Sequence, residues 1–171
     1  MFCEVAQHST EELLQSRDEF LQVMALFRVE DKEQAEVEQV FRRVLEQLGS
    51  LFDSTFVRWQ DLIRFILGWA YNRRPEKERA TWQKVAEQVQ ADEQRRRETK
   101  MQGMTIADAI RGEGRAEGKA KAVLRMGRQK WGEPDLVVLQ AIQAIHDEAR
   151  LDRMLVALIG AQSWADLLNV T

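Results

Sequence analysis

An all-α fold is predicted by three features of this 171-residue sequence. Only two prolines, Pro75 and Pro134, interrupt it. Apolar residues recur at i, i+3, i+4 and i+7 rather than at alternate positions, and the Asn-Gly and Asp-Gly pairs that mark tight hairpins are scarce. Several apolar runs open on Ser or Asp, whose side chains accept from the free N–H groups of a first helical turn. A composition 44% hydrophobic and 31% charged belongs to a globular chain able to bury a core.

In chain order, Ser9 with Glu12 makes a capping box, and Leu13, Leu14, Phe20, Met24 and Phe27 supply an apolar face with a break near Asp18. Asp31 with Gln34 opens a second helix, whose face is Val37, Val40, Phe41, Val44, Leu45 and Leu48 and whose end is Gly49. With Asp53 or Ser54 as cap, "TFVRWQDLIRFILGWAYNRRP" forms a central helix, apolar except along Arg58, Asp61 and Arg64. Pro75 closes it by disfavouring helical geometry at Arg74. Residues 76–102 carry a narrow stripe of Trp82, Val85 and Val89 and then the polar "DEQRRRETK", a helix that bridges to the next unit or packs weakly.

Further on, Val123, Leu124, Gly127 and Trp131 continue a helical face to "WGEP". There Gly132 takes the left-handed C-terminal position and Pro134 the first turn of the next helix. Two short helices follow, one through Val138, Ala141, Ile142 and Ile145, the other through Leu151, Leu155, Leu158 and Ile159. Ser163, capped against Asp166, opens the last, with Trp164, Leu167 and Leu168. The elements divide into a helical region, 1–101, a Gly-rich helical spacer, 102–122, and a small C-terminal helical bundle, 123–171.

Charge is uneven although the total is −3. Residues 1–50 hold 11 acids and 5 bases, residues 111–130 hold 7 bases and 2 acids, and residues 133–171 hold 6 acids and 2 bases. The basic middle can meet phosphate, or equally the acidic flanks of its own chain or of a second copy; runs of charge are most often solvated surface. The lone Cys3 excludes an intramolecular disulfide and fits a reducing compartment. With only His8 and His146 beside it, no metal site, cofactor or small-molecule ligand is expected. The uncharged run 154–165 is shorter than the roughly 20 residues that span a bilayer, and the N-terminus is not built as a secretory signal. The expected location is cytoplasmic, with no membrane partner.

Chemistry is sparse. P-loop, G-x-S-x-G and H-E-x-x-H patterns are absent, and "GEGRAEG" follows no strand, which excludes a dinucleotide fingerprint. Three E-x-K triplets, Glu30 to Lys32, Glu98 to Lys100 and Glu117 to Lys119, match the tail of a metal-dependent nuclease motif. None lies in an apolar strand, and in a chain this charged such triplets arise by chance. Trp59, Trp69 and Tyr71 near Arg58, Arg64, Arg73 and Arg74 could stack bases, but at helical spacing they read as core with arginines at its edge. Arg95, Arg96 and Arg97 are consecutive and so point to different helix faces.

The stretch "EGRAEGKAKAVLRMGRQKWGEPDLVVLQAIQAIHDEARLDRMLVALIGAQSWADLL" resembles the C-terminal end of the bacterial Rpn family, recombination-promoting nuclease or putative transposase proteins with a PD-(D/E)XK core. In that family a variable number of E-G repeats leads into a helix that ends in an R-F-G-x-x-P-like turn, here "KWGEP", and then into a short helical bundle. "ELLQSRDEFLQVMALFRVED" and "IRFILGWAYNRRPEKE" likewise resemble the helical region that follows the nuclease core. The resemblance implies that this core would lie before residue 1, with "MFCEV" as the remnant of its last strand. No catalytic residue therefore carries over to any position, and the chain is expected to be a non-catalytic remnant or accessory portion of an Rpn-like protein.

Two alternatives follow from the residues themselves. One is a DNA-binding accessory module using Arg95, Arg96, Lys119, Lys121, Arg125 and Arg128. The other is a homo-oligomer formed through the 111–131 helix. A glycine costs about 0.8 to 1 kcal/mol against alanine inside a helix, so Gly112, Gly114 and Gly118 call for a reason. Gly114, Gly118 and Ala122 lie at i, i+4, i+8, which allows another helix to approach closely or marks a tolerant spacer; the E-G repeat favours the spacer.

Overall fold

A computed structural model describes residues 7–171, and these are helical with no strand among them. Cys3 and "MFCEV", expected as a strand, lie outside the described residues. The elements are α1 (Thr10–Leu14), α2 (Glu19–Met24), α3 (Gln34–Gln47), α4 (Leu51–Ser54), α5 (Phe56–Arg73), α6 (Arg79–Gln88), α7 (Glu93–Trp131), α8 (Leu136–Gln143), α9 (Glu148–Ala157) and α10 (Trp164–Leu168). Short 3-10 turns occupy Ala25–Arg28, Leu48–Ser50 and Glu76–Glu78.

The chain divides into two compact units, Met1–Ala107 and Asp108–Thr171. This differs from the three-part division read from the sequence, because the 102–122 segment has no separate existence. It lies inside the 39-residue α7, where Gln102 and Gly103 are buried in the first unit and Ala116 and Ala120 in the second.

In the first unit the capping box of Ser9 and Glu12 forms as expected, and Asp18 caps α2 by accepting from the Phe20 N–H at 2.9 Å. The second helix opens later than expected: Glu33, with no side-chain cap bond, is its N-cap, and Asp31 sits in the preceding turn. Gly49 does not end the chain's helical course either, since a 3-10 turn hands over directly to α4. Thr55, at φ −148° and ψ 66°, rather than Asp53 or Ser54, precedes α5. Helix α5 buries Trp59, Ile63, Ile66, Leu67, Trp69, Ala70 and Tyr71, which makes it the central element of this unit. Phe41 of α3 meets Trp82 of α6 at 5.2 Å between ring centroids, and Phe52 meets Trp59 edge-on at 4.8 Å.

Pro75 does what its ring requires: Arg74 leaves the helix at ψ 156°. That extended residue sends its guanidinium back to the carbonyls of Glu30 (2.7 Å) and Lys32 (3.1 Å) and to the Glu78 carboxylate (3.1 Å). Both side chains of the ion pair are largely buried, at 10% and 9% exposure. The expected single helix over 76–102 is instead two, α6 and α7. Asp92 opens α7 by accepting from the Arg95 N–H at 2.8 Å, a cap that the polar run conceals.

A bidentate pair between Arg43 and Glu11, at 2.8 and 2.9 Å, ties α1 to α3. Those bonds, with one from Gln15, hold the Glu11 carboxyl down from its ordinary 4.5 to about 2. Because the folded value is depressed, the pair's contribution is present above pH 4.5 and lost as pH falls from there through about 2. A carboxyl-carbon NMR titration is expected to place the Glu11 midpoint near about 2, and Arg43→Ala to return it towards 4.5.

The second unit is built on the inner face of α7, Ala116, Ala120, Val123 and Leu124, which packs with Ile142, Ile145, Leu151, Met154, Leu158 and Leu167. Gly132 has φ +81°, as expected at a helix C-terminus. Pro134 precedes α8 instead of filling its first turn; Asp135 is the N-cap, accepting from the Val138 N–H at 2.8 Å. Asp147 caps α9 in the same way. Met154, not Ile159, completes the inner stripe of α9; Ile159 lies past the helix end and is exposed. Ser163 caps α10 against the Asp166 N–H as expected.

Candidate functional site

The six cationic residues singled out in the sequence fall in different units and different environments. Arg95 and Arg96 belong to the first unit. Arg95 is nearly buried: it donates to the Gly49 carbonyl at 3.0 Å, pairs with Asp53 and with Asp92 at 3.1 Å, and its guanidinium stands 4.9 Å above the Phe52 ring. Its work is to fasten the start of α7 to the α3–α4 junction. Arg96 is exposed and donates to the Gln90 carbonyl at 3.3 Å.

Lys119, Lys121, Arg125 and Arg128 belong to the second unit, on the last turns of α7. Successive residues turn by about 100° around a helix, so residues that bury Ala116, Ala120, Val123 and Gly127 must expose Arg111, Gly114, Gly118, Lys121 and Arg125 on the opposite side. Lys119 lies near the boundary of the two faces and reaches α9, donating to Asp152 at 2.7 Å and Glu148 at 3.2 Å. Arg115 reaches the same Glu148 at 3.1 Å. The Asp152 bond, followed by that to Glu148, raises the Lys119 pKa, and the Lys119 bond lowers that of Glu148. This cluster secures α9 to α7. Lys121 pairs with Glu117 one turn away at 2.6 Å, and Arg128 with Glu133 at 2.8 Å. Arg125 is exposed with no carboxylate partner among the described residues.

Gly118, Lys121, Ala122, Arg125 and Met126 line a shallow open hollow of about 370 Å³. Its small walls and two flexible cations can hold an anionic group by charge; no nucleophile or general base among these lining residues offers chemistry beyond that. Arg111 and Arg115 join Lys121 and Arg125 on or beside this face and were not singled out by sequence, although their i, i+4 spacing carries the signal.

The glycines sort by what surrounds them. Gly114 and Gly118 have nothing within 4 Å of where a Cβ would stand, so no close approach explains them. The close approaches lie outside the E-G repeat: a Cβ at Gly103 would stand 1.8 Å from Gln83 Oε1, and one at Gly127 only 2.2 Å from the Trp164 ring. Gly114→Ala and Gly118→Ala are each expected to raise stability by about 0.8 to 1 kcal/mol, read as a rise in the urea midpoint.

The E-x-K triplets do not assemble. Glu117 and Lys119 bond to different partners, Lys121 for the one and Glu148 with Asp152 for the other, and Glu98 accepts from Gln60 at 3.5 Å. Among the described residues no three His, Cys, Asp or Glu side chains are grouped to hold a metal ion. Trp59, Trp69 and Tyr71 are buried, which makes them core and not a base-stacking surface.

Two cations that sequence reasoning passed over close helix ends. Lys130 donates to the carbonyls of Leu158 (2.8 Å) and Ala161 (2.7 Å) beyond α9, and Arg150 to those of Leu168, the last residue of α10, and Val170 beyond it (both 2.9 Å). Their partners lie 18 to 31 residues away, beyond the reach of any local pattern. Among the described residues no helix is long and apolar enough to cross a membrane. No family model, no curated protein and no solved structure matches this chain.

Proposed function

We propose that this chain is a non-catalytic, accessory helical portion of an Rpn-like nuclease or transposase-related protein. The observation that supports this reading is the placement of the E-G repeat. Gly114 and Gly118 lie on the open side of α7, while the repeat's one E-x-K triplet is spent on ion pairs, Glu117 with Lys121 one turn along α7 and Lys119 with Glu148 and Asp152 of α9. A repeat so placed serves as a structural part of α7 and contributes no reacting group. Incubation of the purified chain with DNA and Mg²⁺ is expected to give no cleavage; cleavage abolished by EDTA would overturn the non-catalytic reading. The family assignment is tested by reading the transcript upstream of codon 1. An in-frame PD-(D/E)XK core supports it, and an in-frame unrelated domain overturns it.

A second reading, DNA binding through the second unit, is favoured by one observation: Arg125, with no carboxylate partner among the described residues, stands beside Lys121 at the hollow that Gly118 helps to line. It requires affinity for duplex DNA that falls steeply with salt, with a slope reduced by about 1 in Arg125→Ala. Binding indifferent to salt sinks it.

A further inference from the structure

The first unit carries an open cleft of about 340 Å³ whose lining includes Phe27, Phe65, Gly68 and Trp69, with Arg64 and Arg73 among its edges. Phe20 extends the apolar surface, 6.5 Å from Phe65 between centroids, and both rings are about half exposed. Gly68 is the informative residue. It sits inside α5, the central helix, where glycine is the most costly residue short of proline, yet among the described residues nothing beyond its own helical turn comes within 4 Å of where its Cβ would be. Its missing side chain makes no room for any neighbour in the chain; it makes room in the cleft. A bulky apolar group arriving from outside would fill that space.

The charges at the cleft say what else the arriving segment carries. Arg73 has no carboxylate partner among the described residues, and Arg64 bonds only the neutral Gln102, at 3.2 Å. By contrast Arg58 and Arg74, on the same stretch of chain, are paired with Glu19 and Glu78. The nearest acid on α5 is Asp61, one turn before Phe65 and not part of the lining. The rings are inclined to one another by 34° to 52° and offer no parallel platform for successive bases, which favours a peptide over a single-stranded nucleic acid.

We propose that this cleft docks an acidic amphipathic segment of a partner protein, which seats a bulky apolar side chain against Gly68 and sets carboxylates against Arg64 and Arg73. The docking needs nothing from the E-G repeat or from the second unit, and it stands or falls independently of the family assignment. Helix-in-groove recognition of this kind reads apolar anchors from one face and charge from the rim.

The test is fluorescence anisotropy of a labelled peptide of about twelve residues, leucine on one helical face and glutamate on the other, titrated with the full chain. Saturable binding is expected, weakened at least about tenfold by Gly68→Leu, which fills the cleft, and by Arg73→Glu, which reverses the edge. Gly114→Leu, equally open but in the second unit, is expected to leave it unchanged. Arg73 is exposed, so Arg73→Glu reads the site without disturbing the core, and thermal melts of each variant are compared with the parent. Absence of binding, binding unaltered by Gly68→Leu, equal binding of a lysine-for-glutamate peptide, or displacement by oligothymidylate each overturns the proposal.

Discussion

Arg74→Ala is expected to cost the first unit about 3 kcal/mol, the low end of what removal of one partner from a buried ion pair costs. The substitution strands the Glu78 carboxylate at 9% exposure and frees the carbonyls of Glu30 and Lys32, to which Arg74 donates. It also removes the guanidinium that stands 5.9 Å from the centre of the Trp82 ring. Urea unfolding followed by tryptophan fluorescence reads the loss as a lower midpoint. The double variant Arg74→Ala with Glu78→Gln is expected to recover part of it, since no buried charge is then left unpaired. A double variant less stable than Arg74→Ala would show that Glu78 has a separate role.

Gly127→Ala is expected to destabilise the second unit by about 1 to 3 kcal/mol through overpacking, set against a gain of about 1 kcal/mol in helix propensity. The added carbon would meet three atoms of the Trp164 ring at 2.2 to 2.9 Å, and an indole cannot bend away as a long flexible chain can. Trp164 is further held edge-on to Trp131 at 5.3 Å and by its Nε1 donating to the Gly132 carbonyl at 3.3 Å. Native-state hydrogen exchange is expected to localise the loss to 108–171 and leave the first unit's slow amides unchanged. Gly103→Ala should be milder, because the Gln83 amide that a Cβ would strike can swing aside at the expense of its 2.6 Å bond from Tyr71. Equal effects at the two sites would contradict the distinction between a rigid and a movable neighbour.

Much of the helical architecture is legible because its determinants are local. The caps at Ser9 and Ser163, the break near Asp18, the stop at Pro75 and the left-handed Gly132 each depend on residues within four positions. The missed boundaries have physical reasons too. Glu33 and Thr55 open helices without a side-chain cap bond, so no residue type announces them. Asp92, Asp135 and Asp147 do cap, but the first is hidden in a charged run, and Pro134 competes with the second for the helix start.

The candidate cations were far less legible. Whether Arg95 is a surface charge or a structural clasp depends on Gly49 and Asp53, more than 40 residues earlier, and Lys119 on Glu148 and Asp152, about 30 residues later. The glycines show the same limit. The E-G repeat drew attention by its spacing, while the two glycines on which packing turns, Gly103 and Gly127, look ordinary in sequence because Gln83 and Trp164 are distant.

The inner edge of the repeat has a consequence for how this helix can change in length. Residues 111–122 read "RGEG", "RAEG", "KAKA", so every fourth position repeats in kind: a cation at 111, 115 and 119, and a small residue at 112, 116 and 120. Glu148 already accepts from two rungs of that ladder, Arg115 and Lys119, and the core already accepts alanine on two successive turns. Duplication of the "RAEG" rung would therefore lengthen α7 by about 6 Å while offering α9 a further cation and methyl group at the same spacing. Length here is inherited in steps of four residues, each a full turn and about 40° more.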